Sequence, residues 1–184
     1  LIIHNLASKY LDIKNKSINE IVQNNPGYII LDNDKHILLS SFKEEGNHKI
    51  IKNKKMINDL NFKENLDNLI ENFKDKLSCN INHTISLLKG NYSISLLQNK
   101  NNDLLFTQLS GNTTFYVFNP KHSNAIKNKQ NKEIKKWGLK IILKPGIILS
   151  IPPEWYYIYE CEEESVIFSS YFDSYFTYIY NLLK

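Results

Sequence analysis

Between Gly146 and Glu160 the chain runs GIILSIPPEWYYIYE: a glycine, a strand-length apolar run, two prolines and an aromatic cluster, without interruption. Lys144-Pro145-Gly146 opens a tight turn, because glycine takes the positive φ that other residues resist. Ile147, Ile148, Leu149 and Ile151 then form a strand that stops at Pro152-Pro153, which cannot donate to a ladder. Trp155, Tyr156 and Tyr157 lead at once into a second strand. A chain with two short strands joined by a fixed corner is committed locally to antiparallel β structure.

The surrounding sequence extends that commitment. From residue 83 onward the pattern predicts strands over 83–89, 92–97, 103–109, 113–118, 139–143, 147–151, 155–159 and 165–172, separated by turn residues. Many short strands of this kind argue for a sandwich or barrel. Upstream, residues 4–25 read as helical, with Leu6, Tyr10, Leu11 and Ile13 on one side and a capping box at Ser17-Ile18-Asn19-Glu20. Pro26-Gly27 ends that helix. A hairpin follows over 28–39 with its turn at Asp32-Asn33-Asp34, then a turn at Glu44–Asn47 and a short strand over 48–51. Leu66, Leu69, Ile70, Phe73 and Leu77 recur at helical spacing and predict an amphipathic helix over 59–77 that covers a sheet face. Lys121 to Lys136 is a solvated, partly helical excursion between strands. Residues 173–184 predict a terminal helix whose face of Tyr175, Phe176, Ile179, Tyr180 and Leu183 must be covered by this domain, a second copy or another protein.

Charge and cysteine content narrow the function classes. The formal net charge is +4, and all 23 basic residues are lysine. Without arginine the commonest bidentate contact to guanine is missing, so no specific nucleic-acid reading is expected. Lysine alone supplies only salt-sensitive attraction to polyanions. No apolar run approaches the roughly 18–20 residues of a membrane span, so no membrane partner is expected. Cys79 and Cys161 lack metal-site spacing and read as free buried thiols of a reducing, intracellular compartment. The heavy use of Lys, Asn, Ile and Tyr fits an AT-rich genome, such as that of a large DNA virus or a protist parasite, and hence a cytoplasm or a virus particle. The chain begins with leucine, as a fragment or processed product would.

Chemistry-bearing clusters are sparse. His4, His36, His48, His83 and His122 are dispersed, and no H-x-D or H-x-E occurs. Asp32, Asp34 and His36 read as a solvated hairpin tip. Glu160, Glu162, Glu163 and Glu164 read as a solvated turn. Nucleophile elbows, phosphate loops and H-E-x-x-H are absent. Trp155, Tyr156, Tyr157 and Tyr159 alternate between the faces of a strand, so that one set fills the barrel core or, alternatively, lines an aromatic pocket at the barrel mouth.

Two blocks, covering roughly residues 85–172, resemble the JmjC/cupin-like (cupin-8 type) Fe(II)/2-oxoglutarate oxygenases. The first is LLKGNYSISLLQNKNNDLLFTQLSGNTTFYVFNP, Leu87 to Pro120, similar to G-x-x-x-T-P-L-H-x-D, then N-x-x-x-Q-x-x-G-x-K and an apolar strand ending in proline. The second is GIILSIPPEWYY, similar to G-D-x-L-x-I-P-x-x-W-W-H. The resemblance implies a mainly β fold with flanking helices, a cupin-like double-stranded β-helix or jelly-roll. It implies one domain over 1–184: N-terminal helices and hairpin over 1–80, the β-helix over 81–172 and the terminal helix over 173–184.

In that family two imidazoles and a carboxylate hold iron and leave positions open for cosubstrate and oxygen. Counting back from Gly111 puts the first histidine position at Gln98 and the aspartate position at Lys100, or at Asn99 with a one-residue gap. The cosubstrate lysine falls on Thr113, the distal histidine on Tyr157, and the aspartate of the last turn on Ile147. Gln98, Lys100, Thr113 and Tyr157 are therefore expected to point into the former active-site cavity and fill it. The implied function is a non-catalytic domain, without metal or cofactor, serving as a structural or protein-binding module through its C-terminal aromatic helix, with a protein partner or as a homo-oligomer. Two alternatives stand beside it. One is an Fe(II)/2-oxoglutarate-dependent hydroxylase with ligands drawn from elsewhere, such as His83 or His122. The other is a metal-free small-molecule binder with a pocket at Trp155 and Tyr159.

Overall fold

The computed structural model describes residues 2–5, 17–32, 35–43, 48–51, 55, 57 and 78–182. Among the described residues, thirteen strands form two main sheets and a hairpin. The larger sheet has six strands in the order β1 (Ile2–Asn5), β11 (Ile147–Ile151), β8 (Asp103–Ser110), β13 (Ser165–Ser174), β5 (Ser78–Leu88) and β4 (His48–Ile51). The smaller runs β10 (Leu139–Leu143), β9 (Thr113–Phe118), β12 (Tyr156–Cys161) and β6 (Tyr92–Ser93), with β7 (Leu97–Gln98) also on β12. Every pairing among the described residues is antiparallel. From β10 onward the chain alternates between the two sheets, the winding that builds a jelly-roll.

The period-two alternation of the strands sorts the apolar residues into three layers. Leu104, Phe106, Leu149, Ile151 and Ile167 of the large sheet meet Phe115, Val117, Ile141, Leu143, Tyr157, Tyr159 and Cys161 of the small one, forming the barrel interior. The outer face of the large sheet carries Ile85, Leu87, Leu105, Leu109, Ile148, Val166, Phe168 and Phe172. It is covered by helix α1 (Ile18–Asn24) and the hairpin β2 (Ile29–Asp32) and β3 (Lys35–Leu38). The outer face of the small sheet presents Phe118, Tyr156 and Ile158 to Ile126 and Ile134, from the short helices α2 (Ser123–Ile126) and α3 (Asn131–Ile134). The lysine-rich excursion thus places two buried isoleucines on the sheet and keeps its lysines outside.

Local chemistry fixes the ends. Ser17 caps α1 by accepting from the Glu20 amide at 3.2 Å. Gly146 takes φ 84 in the turn before β11. Gly111 takes φ 69, and a Cβ there would sit 2.1 Å from the Glu164 carbonyl oxygen, so the β8–β9 turn admits only glycine.

Several boundaries differ from the sequence reading. His4 and Asn5 lie in β1, opposite Ile148 and Ile147, rather than in a helix. The edge of β11 offers unpaired backbone groups, and that tertiary pairing outweighs local helical spacing. The strand expected over 92–97 is broken into β6 and β7, because the Ile94 carbonyl is taken by the Asn131 side chain at 2.8 Å. Strand β5 begins at Ser78, five residues before the expected start, and pairs Cys79 with Asp173. The terminal helix, α4, spans Tyr175–Leu182. The helix expected over 59–77 and the turns at 33–34 and 44–47 lie outside the described residues.

Candidate functional site

The barrel mouth is set by the corner between β11 and β12. After Ile151 the two prolines end the strand, and Glu154 takes a left-handed φ of 65. The loop following β7 is tied to that corner on both sides. Glu154 N donates to Asn99 O at 2.8 Å, and Asn99 N donates to Trp155 O at 2.8 Å. Asn99, 1% exposed, also uses its whole side chain. Its Nδ2 donates to Ile151 O at 2.8 Å and Pro152 O at 3.1 Å, and its Oδ1 accepts from Asn101 N at 2.9 Å.

This pairing corrects two expected positions. On β12, Tyr156 faces Gln98 and Tyr157 faces Leu97. Tyr156 packs on the outer layer and Tyr157 in the interior. Cross-strand partners share a face, so Gln98 stands on the outer side. Its amide donates to the Glu154 carboxylate at 2.7 Å and the Glu154 carbonyl at 3.3 Å. Lys100 is exposed. Neither enters the interior. Leu97, opposite Tyr157, is 40% exposed, and Asn99 is buried.

Thr113 and Tyr157 do face inward. The Tyr157 ring meets Phe106 edge-on with centroids 5.3 Å apart. Phe115 lies 4.9 Å from Phe106 and 5.2 Å from Tyr159. Burial pushes the Tyr157 phenol up to about 12. Burial raises Tyr159 as well, against the opposite pull of its hydrogen bond with Ser86. Deeper in the barrel, the Thr113 and Ser165 hydroxyls are 2.7 Å apart. Gln108 Nε2 donates to Ser165 Oγ at 2.6 Å and Ser110 O at 2.7 Å, while its Oε1 has no hydrogen-bond partner among the described residues.

As a donor set for iron these positions do not fit. Leu97 and Asn99 supply neither imidazole nor carboxylate, and the Asn99 amide is already engaged with backbone. Ligation by Tyr157 requires a phenolate, which its surroundings disfavour. Thr113 carries no charge to pair with a carboxylate. The other histidines considered stand elsewhere. His83 stacks on Phe168 of the outer layer at 5.4 Å and shares a hydrogen bond with Ser170 at 2.9 Å. His122 lies by Trp137 at 5.7 Å in the excursion. Among the described residues, no three His, Cys, Asp or Glu side chains gather as a metal site.

The aromatic pair splits. Tyr159 is 3% exposed inside the interior cluster, whereas Trp155 packs on that cluster's margin, half-buried at the corner. Of the residues that matter here, Gln108 was visible in the Q-L-S-G turn. Ser165 and Glu154 carry no signal in the sequence.

No family model matches the chain, and no curated protein sequence does. Solved structures do resemble it. Escherichia coli ribosomal oxygenase YcfD superposes with a TM-score of 0.60 and 14% identity, over 94% of this chain and 48% of that one. The same oxygenase in complex with cobalt and 2-oxoglutarate gives 0.52 and 15%, over 79% and 39%. With cobalt and succinic acid it gives 0.54 and 15%, over 85% and 43%. The chain therefore spans less than half the length of these oxygenases. The architecture of this chain is a cupin-like double-stranded β-helix with flanking helices.

Proposed function

We propose that this chain is a non-catalytic JmjC/cupin-like domain that works as a structural or protein-binding module. The observation that carries the reading is the packed barrel interior. Phe106, Phe115, Tyr157 and Tyr159 occupy the space between the sheets, in ring contact with one another. A barrel filled by side chains has its interior committed to stability. The free thiols of Cys79 and Cys161 accord with a reducing compartment. No helix among the described residues is long and apolar enough to cross a membrane.

The surface proposed for assembly is α4. Tyr175, Phe176, Ile179 and Tyr180 are 58%, 77%, 52% and 57% exposed, and the helix has no charged residue in its first or last turn. With buried aromatics worth about 150–250 Å² each, these four offer roughly 500 Å². Two such faces in contact bury about 1,000 Å², the lower limit of a stable interface.

Metal analysis of the purified chain and sedimentation velocity test the two halves of this reading. The expected outcome is no stoichiometric iron, and a dimer or partner complex that Phe176→Glu dissociates. Stoichiometric iron would overturn the first half. A monomer that binds no partner, indifferent to Phe176→Glu, would overturn the second.

A further inference from the structure

Positive charge is unevenly distributed along the chain. Between Leu104 and Pro153 there are eight lysines and one acidic residue, Glu133, a net +7 within a chain of net +4. Most of these lysines fall in the excursion that carries α2 and α3, and the fold gathers that excursion into one layer on the outer face of the small sheet. Ile126 and Ile134 are buried against the sheet. Lys127 and Lys135 lie over the Tyr156 and Tyr116 rings at 5.7 and 5.0 Å, and Lys135 also pairs with Glu160. Asn131 Nδ2 donates to Ile94 O. With the layer anchored in this way, Lys121, Lys129 and Lys132 stay exposed, and none has a carboxylate partner among the described residues. Lys140 shares a cleft with Glu160, Glu162 and Glu163, which bounds the positive surface on that side.

The two ends of the excursion meet. The His122 and Trp137 rings lie 5.7 Å apart, so their sequence neighbours Lys121 and Lys136 flank one aromatic pair. That pair is tilted by 40° rather than stacked face to face, and Trp137 remains 44% exposed, which leaves indole surface open. The Lys136 ammonium, 5.7 Å from the indole centroid, adds a cation at the same place. A lipid surface asks for an amphipathic helix with a free apolar face, but the isoleucines of α2 and α3 are buried on the sheet. An acidic peptide engages the lysines and leaves the indole without a role. A single-stranded nucleic acid uses both, with phosphates against lysine and an unpaired base against the ring, since every base has a π-face. A duplex keeps its base faces stacked on one another. We infer that this surface binds single-stranded nucleic acid through its backbone, without sequence preference. The absence of arginine accords with binding that reads no base edge. The surface uses none of the interior positions.

The test is fluorescence anisotropy of labelled dT, dA and rU strands of about 12 nucleotides. Saturable binding with a midpoint of about 1–100 μM is expected, with the three strands within about 10-fold of one another. Log affinity should fall with log salt at a slope of about −2 to −3.5, the counterion release of three to five phosphate contacts. Replacing Lys121, Lys129 and Lys132 together by Gln should flatten that slope by about 2 and leave the melting midpoint unchanged. Trp137→Ala should weaken binding by about 5- to 100-fold with the slope retained, and Trp137→Phe should restore most of the loss. The lysine variant, at exposed positions, tests the surface independently of how well Trp137→Ala folds. Absence of saturation at about 500 μM protein, or a salt slope unchanged by the lysine variant, would overturn the inference. So would a folded Trp137→Ala of undiminished affinity, or tighter binding of duplex DNA, polyglutamate or phosphatidylserine vesicles than of the single strands.

Discussion

Replacing Tyr157 with alanine removes a ring that is 8% exposed and in edge contact with Phe106. An aromatic side chain buries about 150–250 Å². At ~25 cal/mol per Å², the lost transfer energy is roughly 4–6 kcal/mol. Compactness of the unfolded chain lowers such figures by about 10–40%, while the aromatic pair adds about 0.5–1.5 kcal/mol. The result falls in the range of about 3–5 kcal/mol seen for large aromatic truncations. For a domain of this size that lowers the melting midpoint by roughly 6–20 °C. Urea unfolding of the wild type, Tyr157→Ala and Tyr157→Phe measures it. The phenylalanine variant keeps the ring and should stay within about 1.5 kcal/mol of wild type. A Tyr157→Ala variant losing under about 1 kcal/mol, or Tyr157→Phe as damaging as alanine, would refute the packing argument.

Three further outcomes follow from the same geometry. Asn99→Asp removes the amide donor and sets a carboxylate against two backbone carbonyls. It should cost about 2–3 kcal/mol at neutral pH, and less at acidic pH where the new group is protonated, read from denaturation midpoints. Gly111→Ala forces a Cβ to 2.1 Å from a carbonyl oxygen at φ 69 and should cost more than about 1 kcal/mol, measured the same way. Stability should also fall at alkaline pH. The folded Tyr157 phenol is raised to about 12 from an ordinary value of 10.0, so the unfolded chain loses that proton first. Its contribution is intact below pH 10 and is lost as pH rises toward 12, at up to about 1.4 kcal/mol per pH unit. Denaturation midpoints across that window, with Tyr157→Phe as the control, check the sign.

The strands legible in the sequence are those whose ends are marked by chemistry. Thr113–Phe118, Leu139–Leu143 and Ile147–Ile151 stand where their glycine and proline boundaries put them. Where partners are distant, local pattern was insufficient. His4 and Asn5 look helical by spacing, yet the β11 edge claims them. The β7 register was ambiguous by one residue because spacing from Gly111 cannot locate a gap. Only cross-strand pairing with Tyr156 and Tyr157 decides that Gln98 turns outward. The buried Gln108–Thr113–Ser165 cluster was half visible, since a serine opening a strand looks the same whether it faces water or core. The aromatic face of α4 was legible from helical spacing alone, and its Tyr175, Phe176, Ile179 and Tyr180 are exposed.

The measurement closest to the central claim is an anaerobic calorimetric titration of the purified chain with Fe(II) and then with 2-oxoglutarate. A packed interior without a ligand set predicts no saturable heat from either, and no mutual enhancement when both are present. Tight one-to-one iron binding that strengthens with 2-oxoglutarate would contradict the account and return the chain to the oxygenases.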